Sequence, residues 1–300
     1  MSFSTDIKEE LSKISNLANK TNVKIEFVGY LMSANTIIES NNKIKYSTES
    51  EYNINRFAKL LNNLNINKYE ISIQGKTYTI IFNLLGTQNI EEISIENKLI
   101  KIDFEKLNNI IKKDEILQKT LVRGNFLGSG SINNPEKKYH LEIIYSTKKC
   151  AQYVQKLLSD FGIEAKGFEK ENEYSLYFKE GEEISKFLAF IGSNFGVLKF
   201  EDFRVLREMR NNLNRIVNCE TANLNKTINA AVKQIEDIKL IKSKNKFGEL
   251  TDNLKEIAEL RLENPDASLS ELGKMLKIPV GKSGVNYRLK TISKIAEELF

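Results

Sequence analysis

The 300-residue sequence predicts an α+β protein in which one α-β-β-α-β-β-α unit is used twice and an all-α tail follows. Three observations carry this expectation. Residues 27–35 (FVGYLMSAN) and 121–131 (LVRGNFLGSGS) read as helices with small residues four apart, Gly29 and Ser33 in one, Gly124 and Gly128 in the other. Residues four apart share a helix face. Glycine inside a helix costs ~1 kcal/mol against alanine, so two such pairs imply helices packed too closely for side chains. The second observation is a constant offset. Gly124 follows Gly29 by 95 residues, and QKLL at 155–158 follows AKLL at 58–61 by 97, the spacing of a duplication. The third is the tail, where residues 254–296 show three short helical patterns and no strand alternation.

Each element follows from local pattern. Residues 6–19 predict an amphipathic helix with Ile7, Leu11, Ile14 and Leu17 on one face, and residues 23–33 the first small-residue helix. Residues 43–48 alternate as a strand, and 53–64 are helical with Ile54, Phe57, Leu60, Leu61 and Leu64 in register. Residues 69–82 (YEISIQGKTYTIIF) predict a β-hairpin turning at Gly75, and 84–112 are mixed. The second copy repeats the order: helix 117–129, strand 139–145, helix 148–161, hairpin strands 164–168 and 173–178, helix 184–192. Four regions are expected: an N-terminal helix (1–20), the duplicated domain (21–200, copies about 21–112 and 113–200), a basic linker and long helix (201–247), and a helical domain (248–300). Within the third region, 201–221 reads as polar chain with Glu220 and Asn223 capping a helix from 222, and 243–252 as a linker.

Composition narrows the class. Hydrophobic residues make up 41% and charged residues 28%, the balance of an ordinary globular chain. No apolar run approaches the ~20 residues of a membrane span, and the N-terminus lacks the apolar core of a signal peptide. A cytoplasmic location, with no membrane partner, is the expectation. Two distant cysteines, Cys150 and Cys219, fit a reducing compartment and supply no disulfide framework. The single histidine, His140, argues against histidine-rich zinc chemistry and a Ser-His-Asp triad; a core or strand-surface role is the plainer reading. No catalytic residue and no cofactor is expected.

Charge is informative through its distribution. The net charge is +5, and residues 199–246 alone hold 11 basic and 6 acidic side chains. Four of the eight arginines, Arg204, Arg207, Arg210 and Arg215, crowd twelve residues. They make a patch of possible phosphate contacts or, alternatively, a solvated helix face with internal ion pairs to Glu201, Asp202 and Glu208. In the tail, helix, short turn and helix after a supporting helix is the helix-turn-helix arrangement, whose last helix enters the major groove. Its second helix opens on the capping box Ser268-Leu269-Ser270-Glu271, its turn is IPVGK at 278–282, and its third helix starts near Ser283 as N-cap. Residues 274–294 carry six basic residues and no acidic one. Val285, Leu289 and Ile292 form the core stripe. Lys282, Ser283, Gly284, Asn286, Tyr287, Arg288, Lys290 and Thr291 are left for double-stranded DNA. Asn286 and Arg288 suit adenine and guanine edges, and Lys282, Ser283, Tyr287 and Lys290 suit phosphates.

Two family resemblances follow from these residues. The paired small-residue helices resemble the LAGLIDADG helices of homing endonucleases, which cross at the centre of a pseudo-two-fold domain. The stretches LVRGNFLGSGSINNPEKKYHLEI, NRIVNCETANLNKT with AAVKQIEDI, LKEIAELRLENPDASLSELG and KSGVNYRLKTI resemble the bacterial WhiA family along nearly the whole chain. The WhiA resemblance implies a degenerate LAGLIDADG domain joined to a C-terminal helix-turn-helix domain. It further implies a DNA-binding regulator of division and chromosome segregation, with sporulation control in some relatives. Active nucleases carry a metal-binding acid at the end of each central helix. Ala34 and Ser129 stand there, so no nuclease activity is expected. FVGYLMSANTI lacks the glycine ending of its counterpart and departs further from the pattern. An interaction scaffold for the division or transcription machinery, with incidental DNA contact, is the alternative.

Overall fold

The structure, a computed structural model, describes residues 2–39, 42–84, 90–171 and 173–299. Part of the mixed 84–112 stretch, residues 85–89, lies outside them. The chain divides into two compact units, Met1–Glu208 and Met209–Phe300.

The first unit is the duplicated domain. Helix α1 (Phe3–Ser12) packs Phe3, Ile7 and Leu11 into the same core as the two copies. Copy one runs α2 (Lys20–Leu31), β1 (Thr36–Ile38), β2 (Lys43–Thr48), α3 (Glu51–Asn63), β3 (Tyr69–Gln74), β4 (Thr77–Asn83), then a hairpin of β5 (Ile93–Glu96) and β6 (Leu99–Ile102), and α4 (Phe104–Ile111). Copy two runs α5 (Glu115–Ser129), β7 (Gly130–Ile132), β8 (Leu141–Tyr145), α6 (Lys148–Asp160), β9 (Lys166–Lys170), β10 (Glu173–Phe178) and α7 (Gly181–Ile191). The two four-stranded sheets have the same order, β1-β2-β4-β3 and β7-β8-β10-β9, antiparallel throughout. Strands β1 and β7 have three residues each and no readable alternation, which is why the sequence pattern passes over them. The β5–β6 hairpin turns through Asn97 and Lys98, both at positive φ (52° and 59°), the backbone of a type I′ turn.

Helices α2 and α5 form the axis of this unit, as the small residues predict. A Cβ on Gly124 would lie 2.3 Å from the Glu26 carbonyl oxygen, and one on Gly29 would lie 2.4 Å from that of Leu121. One turn further on, a Cβ on Gly128 would meet Ser33 Oγ at 2.6 Å. The backbones therefore touch where glycine removes the side chain. Asn125 Nδ2 donates to the Gly29 carbonyl at 2.9 Å and Asn35 Nδ2 to that of Gly128 at 2.9 Å, tying each copy to the other. Both helices are buried nearly all round, so neither shows a one-sided apolar stripe.

Helix α8 (Asn194–Ser243) starts in the first unit and continues into the second. The Glu10 carboxylate covers its start, accepting from the backbone N–H of Phe195 at 2.8 Å and Gly196 at 3.1 Å. The polar chain and the Glu220 and Asn223 caps expected over 201–223 are absent: the helix runs straight through them. Asparagine and threonine prefer caps, but neither glycine nor proline occurs between Gly196 and Gly248 to break the run.

In the second unit, α8 packs Ile238 and Ile241 onto three helices, α9 (Asp252–Glu263), α10 (Leu269–Met275) and α11 (Lys282–Glu297). The expected capping box is present, with Ser268 and Glu271 satisfying each other's backbone N–H. Helix α11 starts earlier than expected. Its N-cap is Gly281 and not Ser283, because the Gly284 and Val285 N–H groups bond the Gly281 carbonyl at 2.9 and 3.2 Å.

Candidate nucleic-acid interface

The C-terminal ends of α2 and α5 are where a nuclease of this architecture would hold metal. The Ala34 N–H donates to the Ile144 carbonyl at 3.1 Å, and Ser129 Oγ donates to the same oxygen. The two positions thus converge, but on a strand carbonyl and without a carboxylate between them. Among the described residues, no group of three or more His, Cys, Asp or Glu side chains stands together as a metal site.

Two buried polar groups at the centre of this unit, around Arg56 and Asn53, are paired internally. Arg56 makes a two-pronged pair with Glu26, Nε to Oε1 and Nη2 to Oε2, each at 2.8 Å, with both side chains almost wholly buried. Burial opposes the Arg56 charge, but the hydrogen bond and charge of Glu26 outweigh it and raise its pKa. Tyr30 donates to Asn53 Oδ1, and Asn53 Nδ2 bonds Tyr46 Oη at 2.7 Å.

The outer sheet faces carry mixed charge. In the first sheet Ile44, Tyr46, Ile80 and Phe82 are buried, so Lys43, Lys45 and Glu70 lie on the opposite face. There Lys43 approaches Glu70 at 4.0 Å and Lys45 approaches Glu39 at 3.4 Å. In the second sheet the register puts Glu142 and Glu173 on one face with Lys166 and Lys170. His140 stands just before β8, its Nε2 3.6 Å from the Glu142 carboxylate. Each lysine-bearing face therefore neutralises itself, the opposite of a phosphate-binding stripe.

The second unit differs. On α11, Val285, Leu289, Ile292 and Ala296 are buried. At 100° per residue the face directly away from this core holds Ser283, Tyr287, Lys290 and Lys294, and Tyr287 is 74% exposed. Thr291 lies on its edge, its hydroxyl bonded back to the Tyr287 carbonyl at 3.0 Å. Asn286 and Arg288 fall on opposite flanks. Asn286 shares its flank with Lys282 and with Ser293, whose Oγ donates to Asp237 of α8; Arg288 shares the other with Gly284. These two candidate base readers therefore cannot act side by side. Asn286 and Lys282 border a groove completed by Lys226, Thr227 and Gln234 of α8, Arg261 of α9, and Ser268 and Ser270 at the start of α10. The α8 and α9 residues of this groove lie some tens of positions from α11 and share no motif with it, so the sequence pattern does not mark them.

The four clustered arginines do not form one patch. Arg204 pairs with Glu201 at 2.7 Å, and the Arg207 guanidinium lies over the Tyr139 ring at 4.5 Å, both within the first unit. Arg210 and Arg215 are exposed on the part of α8 in the second.

A duplicated domain crossed by glycine-paired helices, in one chain with a helix-turn-helix unit, defines a class: a LAGLIDADG-like domain coupled to a DNA-binding type of module. Family models match part of each unit. Residues 118–210 match the WhiA LAGLIDADG-like domain, and residues 213–296 match the WhiA C-terminal HTH domain. The chain belongs to the WhiA family. It is 38% identical to the probable cell division protein WhiA of Clostridium acetobutylicum and 40% identical to that of Clostridium beijerinckii, over 100% of this chain and 98% and 99% of theirs. The crystal structure of full-length DUF199/WhiA from Thermatoga maritima is similar at 30% identity and a TM-score of 0.59, covering 99% of both chains. Among the described residues, no helix is long and apolar enough to cross a membrane.

Proposed function

We propose that this chain is a sequence-specific DNA-binding regulator that acts in cell division and chromosome segregation, in the cytoplasm at the nucleoid, with a LAGLIDADG-like domain that performs no catalysis. The observation that carries the reading is the acid-free outer face of α11. Ser283, Tyr287, Lys290 and Lys294 face away from the core, flanked by Lys282 and Asn286 on one side and Gly284, Arg288 and Thr291 on the other. A helix with this profile docks in a major groove, its lysines and hydroxyls on phosphates and its amide or guanidinium on a base edge. The cell-division assignment comes from the names of the full-length relatives. Loss of catalysis is supported by Ala34 and Ser129, which offer no carboxylate to a divalent ion.

The test is fluorescence anisotropy over a salt series, full-length protein against a chain ending at Lys246, on promoter and random duplexes. Binding lost on truncation, with an intact-chain slope of about −0.9 per phosphate contact, supports the reading. Binding retained by the truncated chain would move DNA recognition to the duplicated domain. Incubating the pure protein with duplex and Mg²⁺ tests inertness; chelator-sensitive cleavage refutes it.

A second reading, an interaction scaffold for the division or transcription machinery, is favoured by one feature. Met209, Leu213, Ile216, Val217, Leu224 and Ile228 of α8 are all about half exposed or more. Equal affinity for promoter and random duplex would support it.

A further inference from the structure

The groove beside α11 holds an arginine without an anion. Arg261 is 2% exposed, and no carboxylate among the described residues pairs with it. Its Nη1 is held by the carbonyls of Pro265 at 3.2 Å and Ala267 at 2.7 Å, and its Nε has no acceptor. Burial lowers its pKa, the reverse of Arg56, whose buried charge is met by Glu26. A buried cation needs a counter-charge or a full set of acceptors, and Arg261 has neither among the described residues.

What lies around it is built for an anion. Lys226 and Lys282 line the same groove with Arg261, and no acidic residue does. Lys282 is the first residue of a 16-residue helix whose N-terminus has no side-chain cap, so its first N–H groups and the positive end of the helix add to the field. The cavity is about 290 Å³, at the small end of ligand sites. It suits a compact, multiply charged group better than an extended cofactor.

We propose that this groove, lined by Lys226, Arg261 and Lys282, is a phosphate-binding site. Three cations and a helix N-terminus favour a phosphate over a single carboxylate. Its phosphate comes either from the DNA backbone, which rests on the DNA-binding reading above, or from a free phosphorylated small molecule, which does not. In the first case α8 grips the strand beside the recognition helix; in the second the small molecule occupies the flank bearing Asn286.

Two measurements on the full-length protein separate these sources. The first is the salt dependence of duplex binding for wild type, Lys226→Gln, Lys282→Gln and the control Lys233→Gln. Lys233 lies on α8, reaches Glu297 at 3.3 Å and does not line the groove. The second is the melting temperature against inorganic phosphate and pyrophosphate at fixed ionic strength, with chloride as reference. A DNA phosphate in the groove makes the slope of log K against log salt shallower by about 0.9 in Lys226→Gln and Lys282→Gln and leaves it unchanged in Lys233→Gln. A free phosphate ester gives a saturable rise in melting temperature with pyrophosphate that Lys226→Gln abolishes. Either result supports the site. The proposal is overturned if pyrophosphate leaves the melting temperature unmoved and the Lys226→Gln slope equals that of wild type or of Lys233→Gln. Should the wild type bind no DNA, the DNA-binding reading fails by itself and the pyrophosphate titration alone decides the site.

Discussion

Replacing Gly124 by alanine probes the crossing on which the duplicated domain is built. In an open helix this change stabilises by ~1 kcal/mol. At position 124 the new methyl would stand 2.3 Å from the Glu26 carbonyl oxygen, 3.1 Å from Gly29 Cα and 3.2 Å from the Glu26 carbonyl carbon. All three are backbone atoms of α2, so no side chain can rotate aside. Relief requires α2 and α5 to part by about an ångström, which thins the dispersion contacts along both buried helices and stretches the Asn125 to Gly29 and Asn35 to Gly128 hydrogen bonds. Overpacking costs ~1–3 kcal/mol, and the upper end applies where only backbone can yield, so the net loss after the ~1 kcal/mol propensity gain is about 2 kcal/mol. Gly29→Ala meets the same gap from the other side, so the double variant should lose less than the sum of the singles. Urea denaturation followed by near-ultraviolet circular dichroism reads the loss in the first unit. Gly124→Ala within 0.5 kcal/mol of wild type, or additive losses in the double variant, would refute the close-contact account.

Three further outcomes are expected. Glu26→Gln strands the buried Arg56 guanidinium and should cost about 3–5 kcal/mol, read as a lower urea midpoint; loss below 1 kcal/mol would mean water reaches Arg56. Ser268→Ala removes one arm of the capping box on α10 and should cost ~1 kcal/mol, with a matching weakening of DNA binding only if α10 orientation matters there. Lys8 has its pKa lowered to about 8 by burial, partly offset by the charge of Glu49. Below pH 8 the folded chain carries this poorly solvated charge in full, whereas the unfolded chain carries it freely up to its ordinary pKa of 10.5. The burden therefore lifts as pH rises from 8 to 10.5. Lys8→Met should stabilise at pH 7 by on the order of 2 kcal/mol, an advantage that shrinks as pH rises; a pH-independent difference would rule out the charge as its cause.

Some of this was written in the chain itself. Glycine placed where helices otherwise avoid it announced the α2–α5 contact, because only close backbone approach repays glycine in a helix. The offset between the two small-residue stretches announced the duplication, and Ser268 with Glu271 announced the start of α10. Ala34 and Ser129, which carry no carboxylate, became informative only through the LAGLIDADG resemblance that marks their positions. Other features needed the third dimension. The three-residue strands β1 and β7 exist because each lies beside β2 or β8, and a pattern that short has no period. The continuity of α8 was half legible, since no glycine or proline stands between Gly196 and Gly248, but its asparagines locally prefer caps. Whether Asn286 and Arg288 act together was decided by the side of α11 that packs on the core, which puts them on opposite flanks. The groove around Arg261 was invisible in sequence for the same reason. It joins residues from four helices, and only packing brings an unpaired guanidinium, two lysines and a bare helix end to one place.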